Sequence, residues 1–248
     1  MTFRFKVDRS ECLRYLNEES ANEDYMRMFE TSLAISTGNQ DALKEITSLW
    51  YEMEHPFNFC PNDKLSDIEW FQSQLKVLNT YCRLSAENGS LIRQSNYLIS
   101  SKYTLLIERG QSIDFLKKYV FHEIFDDYCF AVKKLSTKNL SAIMIEIITY
   151  INDYLTKNLT LQLIADEFNI HPVHLARKFK QETGMTFVEY TNCQRIDLAK
   201  FLFYLNQFSL SAIAYLSGFN SHSYFTKVFK KITGEKPSQF KRSINLIY

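Results

Sequence analysis

Two cationic side chains, Arg177 and Lys227, stand at the same place in a sequence pattern that occurs twice. The pattern LARKFK at residues 175–180 is followed fifty residues later by FTKVFK at residues 225–230. A guanidinium can donate two parallel hydrogen bonds to paired acceptors, whereas an ammonium is a compact point charge. Because the repeat gives both residues one equivalent position, we interpret them as functional donors and not as part of a solvated face.

Patterns typical of catalytic or metal sites are missing from the sequence. His171 and His174 suggest a metal pair, but no further ligand lies at a suitable spacing. There is no Gly-rich phosphate loop, no nucleophile elbow and no His-Glu-x-x-His motif. The five cysteines are scattered without a Cys-x-x-Cys pair, which favours reduced thiols in the cytoplasm. We therefore expect no enzyme activity, no metal and no cofactor.

The distribution of charge differs between the two parts of the chain. Residues 141–248 contain 12 Lys and Arg against 8 Asp and Glu, while the remainder contains 17 against 20. This asymmetry is expected when only the C-terminal part meets a polyanion. With 6 Gly and 4 Pro in 248 residues, the composition favours long helices over a turn-rich barrel or sandwich. The apolar runs are too short to cross a bilayer, so no membrane partner is expected.

The N-terminal part has apolar residues at helical spacing, and we predict an all-α chain. Ser66 and Glu69 form the sequence signature of a capping box. The polar stretch 136–140 separates two periodic regions, and we place a helical regulatory or dimerisation domain at 1–138 and a second domain at 139–248. The predicted N-terminal helices cover residues 41–54, 66–83, 91–108, 115–122 and 124–135.

Each copy of the repeat has the residue types of a helix-turn-helix unit. Thr160 and Ser209 precede a short helix and can cap its first N–H groups. Asn169 and Gly218 suit a turn that needs an unusual φ angle. Small Ala165 and Ala214 lie at the helix crossing, and Gly184 and Gly234 end each second helix. The second helix begins at Pro172 in the first copy and after Asn220, as its N-cap, in the second copy.

A long helix is predicted between the two copies, over residues 186–204. Thr186 and Glu189 supply a capping box at its start, and apolar residues continue along one edge. A rigid helix is a spacer of fixed length. It can hold two recognition helices about one DNA turn apart, roughly 34 Å, in successive major grooves.

The region 143–242, about 40% of the chain, resembles the AraC/XylS-type DNA-binding domain. The resemblance implies a bacterial transcription regulator, usually an activator, with seven helices and two DNA-reading units. It also implies double-stranded DNA and RNA polymerase as partners. The residues that carry it are 175–180, Gly184, Tyr190, Arg195 and Ile196 in the first unit, and Ile213, Ala214, Gly218, Phe219, Tyr224, Phe225, 229–231, Gly234, Pro237 and Ser238 in the second.

Matching to the family then assigns candidate DNA contacts. Arg177 is suited to a bidentate contact with guanine O6 and N7, and Val173 to packing on a thymine methyl group. The predicted base-contacting residues are Val173, Ala176, Arg177, His222, Ser223 and Lys227. The predicted phosphate-contacting residues are His174, Lys180, Ser221, Thr226, Lys230 and Lys231. Pro172 departs from the usual polar start, and His171 is a poor cap, so the first unit is expected to dock less firmly.

Two interpretations of the N-terminal part remain open. It is either a helical sensing domain that takes a small-molecule or peptide effector, or a structural domain for homodimerisation or partner docking. Its many aromatic residues fit a ligand or dimer surface, but at helical spacing they fit a core equally well. A different hypothesis for the whole chain is an interaction protein that binds RNA polymerase or another regulator without reading DNA. Arg177 and Lys227 at groove-facing positions argue against it.

Overall fold

The computed structural model describes residues 18–52 and 65–247, and these residues confirm the all-α prediction. The only extended pairing in the described ranges is an isolated antiparallel bridge between Leu91 and Ser136. The α-helices, in chain order, are α1 Glu18–Thr37, α2 Gln40–Glu52, α3 Asp67–Asn88, α4 Arg93–Arg109, α5 Ile113–Leu116, α6 His122–Leu135, α7 Ala142–Asp153, α8 Leu161–Glu167, α9 Pro172–Thr183, α10 Phe187–Leu205, α11 Leu210–Leu216, α12 His222–Thr233 and α13 Pro237–Ile247.

The chain divides into two compact units. One consists of Met1–Gly89 and Leu106–Lys134, and the other of Ser90–Leu105 and Leu135–Tyr248. Helix α4 therefore contributes residues to both units. The division of the chain at residues 138 and 139 stays a prediction, and the assignment of 90–105 to the second unit is a feature that the sequence pattern did not suggest.

In the first unit, helices α1 and α3 pack through small and polar side chains. The Ser32 and Ser85 hydroxyl groups lie 2.8 Å apart, and the Tyr81 hydroxyl donates to the Met28 carbonyl. The predicted capping box of Ser66 and Glu69 is confirmed at the start of α3. These contacts tie two long helices side by side, which is the arrangement expected for a helical N-terminal region.

Helix α1, Glu18–Thr37, was not predicted, and the N-terminal helices also differ from the predicted ones between residues 113 and 135. The break predicted between residues 122 and 124 is wrong, since α5 continues through a π-helical turn, Lys117–Phe121, directly into α6. A π-helical turn accommodates one extra residue without ending the helix. Among the aromatic residues between positions 90 and 135, Tyr103, Phe121 and Tyr128 are buried, whereas Tyr97 is exposed.

In the second unit, the first helix-turn-helix copy packs on aromatic rings. Phe179 of α9 is fully buried, and its ring centroid lies 6.1 Å from that of Phe187 and 5.5 Å from that of Tyr190. Both neighbours belong to α10. Edge-to-face contacts of this kind add to the free energy gained by burial, so they fix α9 against the linker helix α10.

The second copy has a corresponding aromatic cluster. Phe229 of α12 lies 5.6 Å from Phe203 of α10 and 5.4 Å from Phe240 of α13, measured between ring centroids. Phe225 continues the cluster toward the turn, 5.6 Å from Phe229. The linker helix therefore carries the first copy on its N-terminal half and the second copy on its C-terminal half.

The local devices of the repeat agree in detail between the copies. Thr160 and Ser209 cap α8 and α11 as predicted. Their hydroxyl oxygens accept hydrogen bonds from the backbone N–H groups of Leu163 and Ala212, both at 3.1 Å. The hydroxyl groups of Thr183 and Thr233 donate to the carbonyls of Phe179 and Phe229. The predicted left-handed residues are Asn169, Gly184, Gly218 and Gly234, and all have positive φ angles. The capping box of Thr186 and Glu189 at the start of α10 is also confirmed.

Arg195 of the linker helix connects three parts of the second unit. Its Nε and Nη2 groups donate to the carbonyls of Leu155 and Lys157, at 2.9 and 2.8 Å. Its guanidinium lies 5.9 Å from the ring centroid of Phe219 in the turn of the second copy. Burial lowers the pKa of Arg195, an effect that Tyr224 partly opposes. The arginine therefore joins the segment after α7 to the second helix-turn-helix unit.

Gly218→Ala is expected to destabilise the protein by about 2–4 kcal/mol, because it combines backbone strain with overlap. Gly218 has a φ of +90°, and a Cβ atom there would lie 2.9 Å from both the Leu155 carbonyl oxygen and Arg195 Nε. Gly234→Ala is the matched control: φ is +85°, but nothing lies within 4 Å of the added Cβ. The control is expected to lose only about 1 kcal/mol. Urea unfolding of the two variants checks this order, and equal losses would contradict it.

Candidate nucleic-acid interface

The exposed face of α9 carries the residues predicted to read bases in the first copy. Val173 is 72% exposed, and Ala176, Arg177 and Lys180 are exposed on the same side of the helix. Their spacing of three and four residues places them on one stripe. Leu175 and Phe179 lie on the opposite side and are fully buried. One face of the recognition helix α9 is therefore packed in the core, and the opposite face is exposed to solvent.

Arg177 has a neighbour on the same helix. Its Nη2 atom lies 3.4 Å from Nδ1 of His174. A guanidinium only donates hydrogen bonds, so any hydrogen bond between the two side chains has Nδ1 of His174 as its acceptor. The contact is long and exposed, and it leaves most of the guanidinium donors available to a partner.

The second recognition helix, α12, has the same division of faces. Ser223, Lys227 and Lys230 are exposed along one stripe, while Phe225 and Phe229 are fully buried on the other. His222 is exposed at the first turn of the helix, and Lys231 is exposed beside the stripe. The structure thus places Lys227 at the position that corresponds to Arg177, as the repeat requires.

The start of α12 differs from the prediction. The predicted N-cap, Asn220, is wrong, because the cap is Ser221, whose side-chain oxygen accepts from the Tyr224 N–H at 3.4 Å. The Ser221 hydroxyl hydrogen stays available as a donor to phosphate. Thr226 is half-buried, and its hydroxyl donates to the His222 carbonyl at 2.9 Å. A phosphate contact by the Thr226 hydroxyl would therefore replace that bond.

Some basic residues of the second unit have structural partners. Lys178 Nζ lies 2.8 Å from Oε1 of Glu182, whose carboxylate also accepts from the Ser141 N–H at 2.7 Å and from its hydroxyl at 2.9 Å. Lys241 Nζ donates to the Phe208 carbonyl at 2.8 Å. Lys178 is therefore paired within α9, and Lys241 joins α13 to the segment before α11, unlike the cations of the recognition stripes.

Two predicted phosphate contacts, Lys180 and Lys231, lie within electrostatic reach of one carboxylate. The pKa of Glu189 is held low mainly by hydrogen bonds from Thr186, with further contributions from the charges of Lys231 and Lys180. Glu189 is exposed at the start of α10. Cations near the C-terminal ends of both recognition helices therefore interact with the carboxylate at the start of the linker helix.

Sequence reasoning missed a contact that orients the second recognition helix. Asn192 Nδ2 of α10 donates to the Tyr224 hydroxyl of α12 at 3.1 Å. Tyr224 is 46% exposed beside the groove-facing stripe, and its ring lies 6.1 Å from that of Phe219. The aromatic type of Tyr224 was visible in the pattern, but the partner thirty-two residues away was not.

Within residues 18–52 and 65–247, no group of three or more His, Cys, Asp or Glu side chains is arranged to hold a metal ion. In these same stretches, the helices include none that is both long and apolar enough to cross a membrane.

Comparisons with known proteins concern the C-terminal part of the chain. A family model described as a helix-turn-helix domain matches residues 164–243. The chain is 33% identical over 115 residues to the bifunctional transcriptional activator/DNA repair enzyme AdaA of Bacillus subtilis. The aligned residues cover 46% of this chain and 54% of that protein. It is 32% identical over 93 residues to the arabinose operon regulatory protein of Escherichia coli, and these aligned residues cover 37% of this chain and 32% of that protein. The chain thus spans about half or less of these relatives.

Among solved structures, the chain is similar to the C-terminal domain of AraT, a response regulator from Geobacillus stearothermophilus. The identity is 32%, the TM-score is 0.41, and the match covers 43% of this chain and 88% of that domain.

Residues 164–243 therefore form a helix-turn-helix domain. This domain is of the AraC/XylS type, and the resemblance drawn from the sequence is confirmed. The predicted set of seven helices with two helix-turn-helix units and a connecting long helix is also confirmed, as α7 to α13 in the described stretch 142–247. The individual DNA contacts stay predictions.

Glu182→Gln is expected to destabilise the protein by about 1 kcal/mol at neutral pH and by less in acid. Burial raises the pKa of Glu182, but hydrogen bonds from Lys178 and Ser141 outweigh it, so the pKa is lowered from its ordinary value of 4.5. A lowered carboxyl pKa stabilises the folded state above the ordinary pKa, and this contribution is lost as pH falls through the folded pKa. Urea unfolding between pH 7 and pH 3 measures the gap between wild type and variant. A gap that does not narrow below about pH 4.5 would contradict the expectation.

Proposed function

We propose that the protein is a sequence-specific DNA-binding transcription regulator. The observation that carries the proposal is the pair of recognition helices, each buried by one aromatic face and exposing a polar stripe with Arg177 or Lys227 at the equivalent position. Guanidinium and ammonium groups are the usual donors to guanine in the major groove. Transcription regulators are also what the relatives' names describe. A protein that binds the chromosome would work in the cytoplasm.

The proposed mode of binding inserts α9 and α12 into successive major grooves. In the first groove, Arg177 would contact guanine, and Val173 and Ala176 would pack on base edges. In the second, His222, Ser223 and Lys227 would make the base contacts. The linker helix has 19 residues, a length of about 28 Å, which is comparable to one DNA turn of roughly 34 Å. A monomer would then need about 20 base pairs.

The phosphate contacts in this proposal are His174, Lys180, Ser221, Thr226, Lys230 and Lys231. Of these, His174 approaches the Arg177 guanidinium and so would also orient the base contact. Cations in this set would neutralise phosphates and release counterions, which makes the affinity depend on salt.

We also propose activation as the sign of regulation, with RNA polymerase as a partner, since AdaA is named as a transcriptional activator. A homodimer through the N-terminal part would double the DNA site. The buried aromatic residues Tyr103, Phe121 and Tyr128 favour a structural role for that part over an effector site lined by these side chains. The competing function, protein binding without DNA readout, is tested by the same experiments.

The repair activity in the name of AdaA is not part of the proposal. Nucleophilic cysteine chemistry requires a thiolate in an accessible position. Burial strongly raises the pKa of the Cys82 thiol and raises that of Cys129 to about 11. Both thiols are buried in the first unit, which supports a role other than catalysis.

Arg177→Ala and Lys227→Ala are each expected to weaken binding to the preferred DNA about tenfold and to relax the base preference at one position of its half-site. Lys178→Ala is the matched control, because Lys178 is paired with Glu182 and not exposed on the stripe. Selection of bound sequences from a random DNA library with the full chain, followed by titration of the preferred site, measures both effects. The control is expected to select the wild-type motif.

Two outcomes would contradict the proposal. The wild-type chain could enrich no reproducible motif, which would exclude direct readout and favour the protein-binding alternative. Alternatively, both substitutions could leave the motif and the affinity unchanged, which would place the reading surface elsewhere.

Lys230→Ala is expected to weaken binding similarly on all DNA sequences, because a phosphate contact carries no base information. The slope of log affinity against log salt concentration should become shallower by about 0.9 for one lost phosphate contact. Titrations at four salt concentrations measure the slope. A changed motif with an unchanged slope would instead make Lys230 a base-contacting residue.

A further inference from the structure

Most of helix α4, up to Leu105, belongs to the same compact unit as the two helix-turn-helix copies, although it lies far from them in sequence. Ser95 of α4 is 4% exposed, and Gln194 of the linker helix α10 is 1% exposed. The Ser95 hydroxyl donates to Oε1 of Gln194 at 3.2 Å, and the bond is buried. A buried polar pair is costly to separate, because each partner would lose its hydrogen bond without gaining water.

A second contact joins the same two helices further along. Lys102 Nζ of α4 lies 5.4 Å from the ring centroid of Tyr204 on α10. Lys102 follows Ser95 by seven residues, about 10 Å of helix, and Tyr204 follows Gln194 by ten, about 15 Å. The two contacts therefore occur in the same order along α4 and α10.

The start of α4 is also fixed to the segment that leads into α7. The N–H and the hydroxyl of Thr137 both donate to the Ser90 carbonyl, at 2.9 and 3.1 Å. Next to this contact, Leu91 and Ser136 form the isolated antiparallel bridge. The position of α4 is therefore fixed by backbone bonds before it reaches the linker helix.

We propose that Ser95 and Lys102 are positioning residues for DNA reading, and that α4 is a brace that keeps the linker helix straight and in register. Gln194 follows the residues of α10 that pack against the first copy, and the stretch from Gln194 to Tyr204 contains residues that pack against the second copy, among them Ile196, Ala199 and Phe203. Bending or rotation of this stretch would change the separation of the recognition helices. The inference rests on the proposed function, because its effect is expressed in the DNA site.

The spacing between half-sites is where the brace acts. One added base pair moves the second half-site by about 3.4 Å and rotates it by about a tenth of a turn. A stiff linker helix tolerates little of this change, whereas an unbraced one adapts to it. The contacts within each half-site are made by α9 and α12, so they do not depend on α4.

The test uses the full chain and a DNA library in which the two half-sites selected by the wild type are separated by spacers from two base pairs shorter to two longer. The proteins are wild type, Ser95→Ala, Lys102→Gln and the control Ser101→Ala, which makes the same change on the same helix at a half-buried position. The wild type and the control are expected to prefer one spacing. Ser95→Ala and Lys102→Gln should each reduce that preference by about fivefold while keeping the base preference within each half-site.

The outcomes separate the inference from the proposed function. If the wild type selects DNA and both variants keep its spacing preference, the brace is excluded and DNA reading stands. Changed base preferences within the half-sites would also exclude it, because the recognition helices themselves would then be altered. If the wild type selects no DNA, both the proposed function and the inference fail. Circular dichroism confirms folding, and if Ser95→Ala is unfolded, the half-buried Lys102→Gln decides the result.

Discussion

The guanidinium of Arg195 is the point on which the arrangement of the second unit depends. It leaves the middle of the linker helix, donates to the carbonyls of Leu155 and Lys157, and lies over the ring of Phe219. A half-buried guanidinium loses part of its water, and here backbone carbonyls replace it as acceptors. Gly218 makes the approach possible, since any side chain at that position would overlap both the arginine and the Leu155 carbonyl. The same contact therefore joins the segment after α7, the linker helix and the turn of the second copy.

The two helix-turn-helix copies on either side of Arg195 have similar local structure but different exposed residues. The caps of α8 and α11, the left-handed turns and the buried aromatic rings correspond closely, whereas α9 has no side-chain cap and α12 is capped by Ser221. The exposed stripes differ: Val173 and Arg177 combine an apolar group with a guanidinium, whereas Ser223 and Lys227 combine a hydroxyl with an ammonium. In the proposed function, one protein therefore reads two unlike half-sites, and the orientation of the DNA site is fixed.

Much of this architecture follows from local sequence. Capping boxes, turn residues and buried periodic residues act over a few positions, and for this reason the repeat and the linker helix were predictable. The start of α12 was not, because Asn220 and Ser221 are both good caps, and only the path of the backbone decides between them. The π-helical turn at Lys117–Phe121 likewise has no simple signal.

Contacts between residues distant in sequence were beyond prediction for a different reason. The Asn192–Tyr224 and Ser95–Gln194 bonds each need two polar residues to meet across helices, and a single sequence contains no distance between helices. The predicted DNA-contacting residues, in contrast, were accessible through the resemblance and the repeat. The structure shows how exposed these residues are and which groups they contact. For Thr226, the sequence predicts a phosphate contact, and the structure shows that its hydroxyl already donates to the His222 carbonyl.

The most direct test of two-groove reading is a footprint of the full chain on its preferred DNA, with guanine N7 methylation to report on the major groove. The account predicts two regions of interference on one face of the duplex, with centres about 10 base pairs apart. A single region of interference would contradict the claim that both recognition helices read DNA together. So would a footprint in which the DNA is protected but no methylated base interferes with binding.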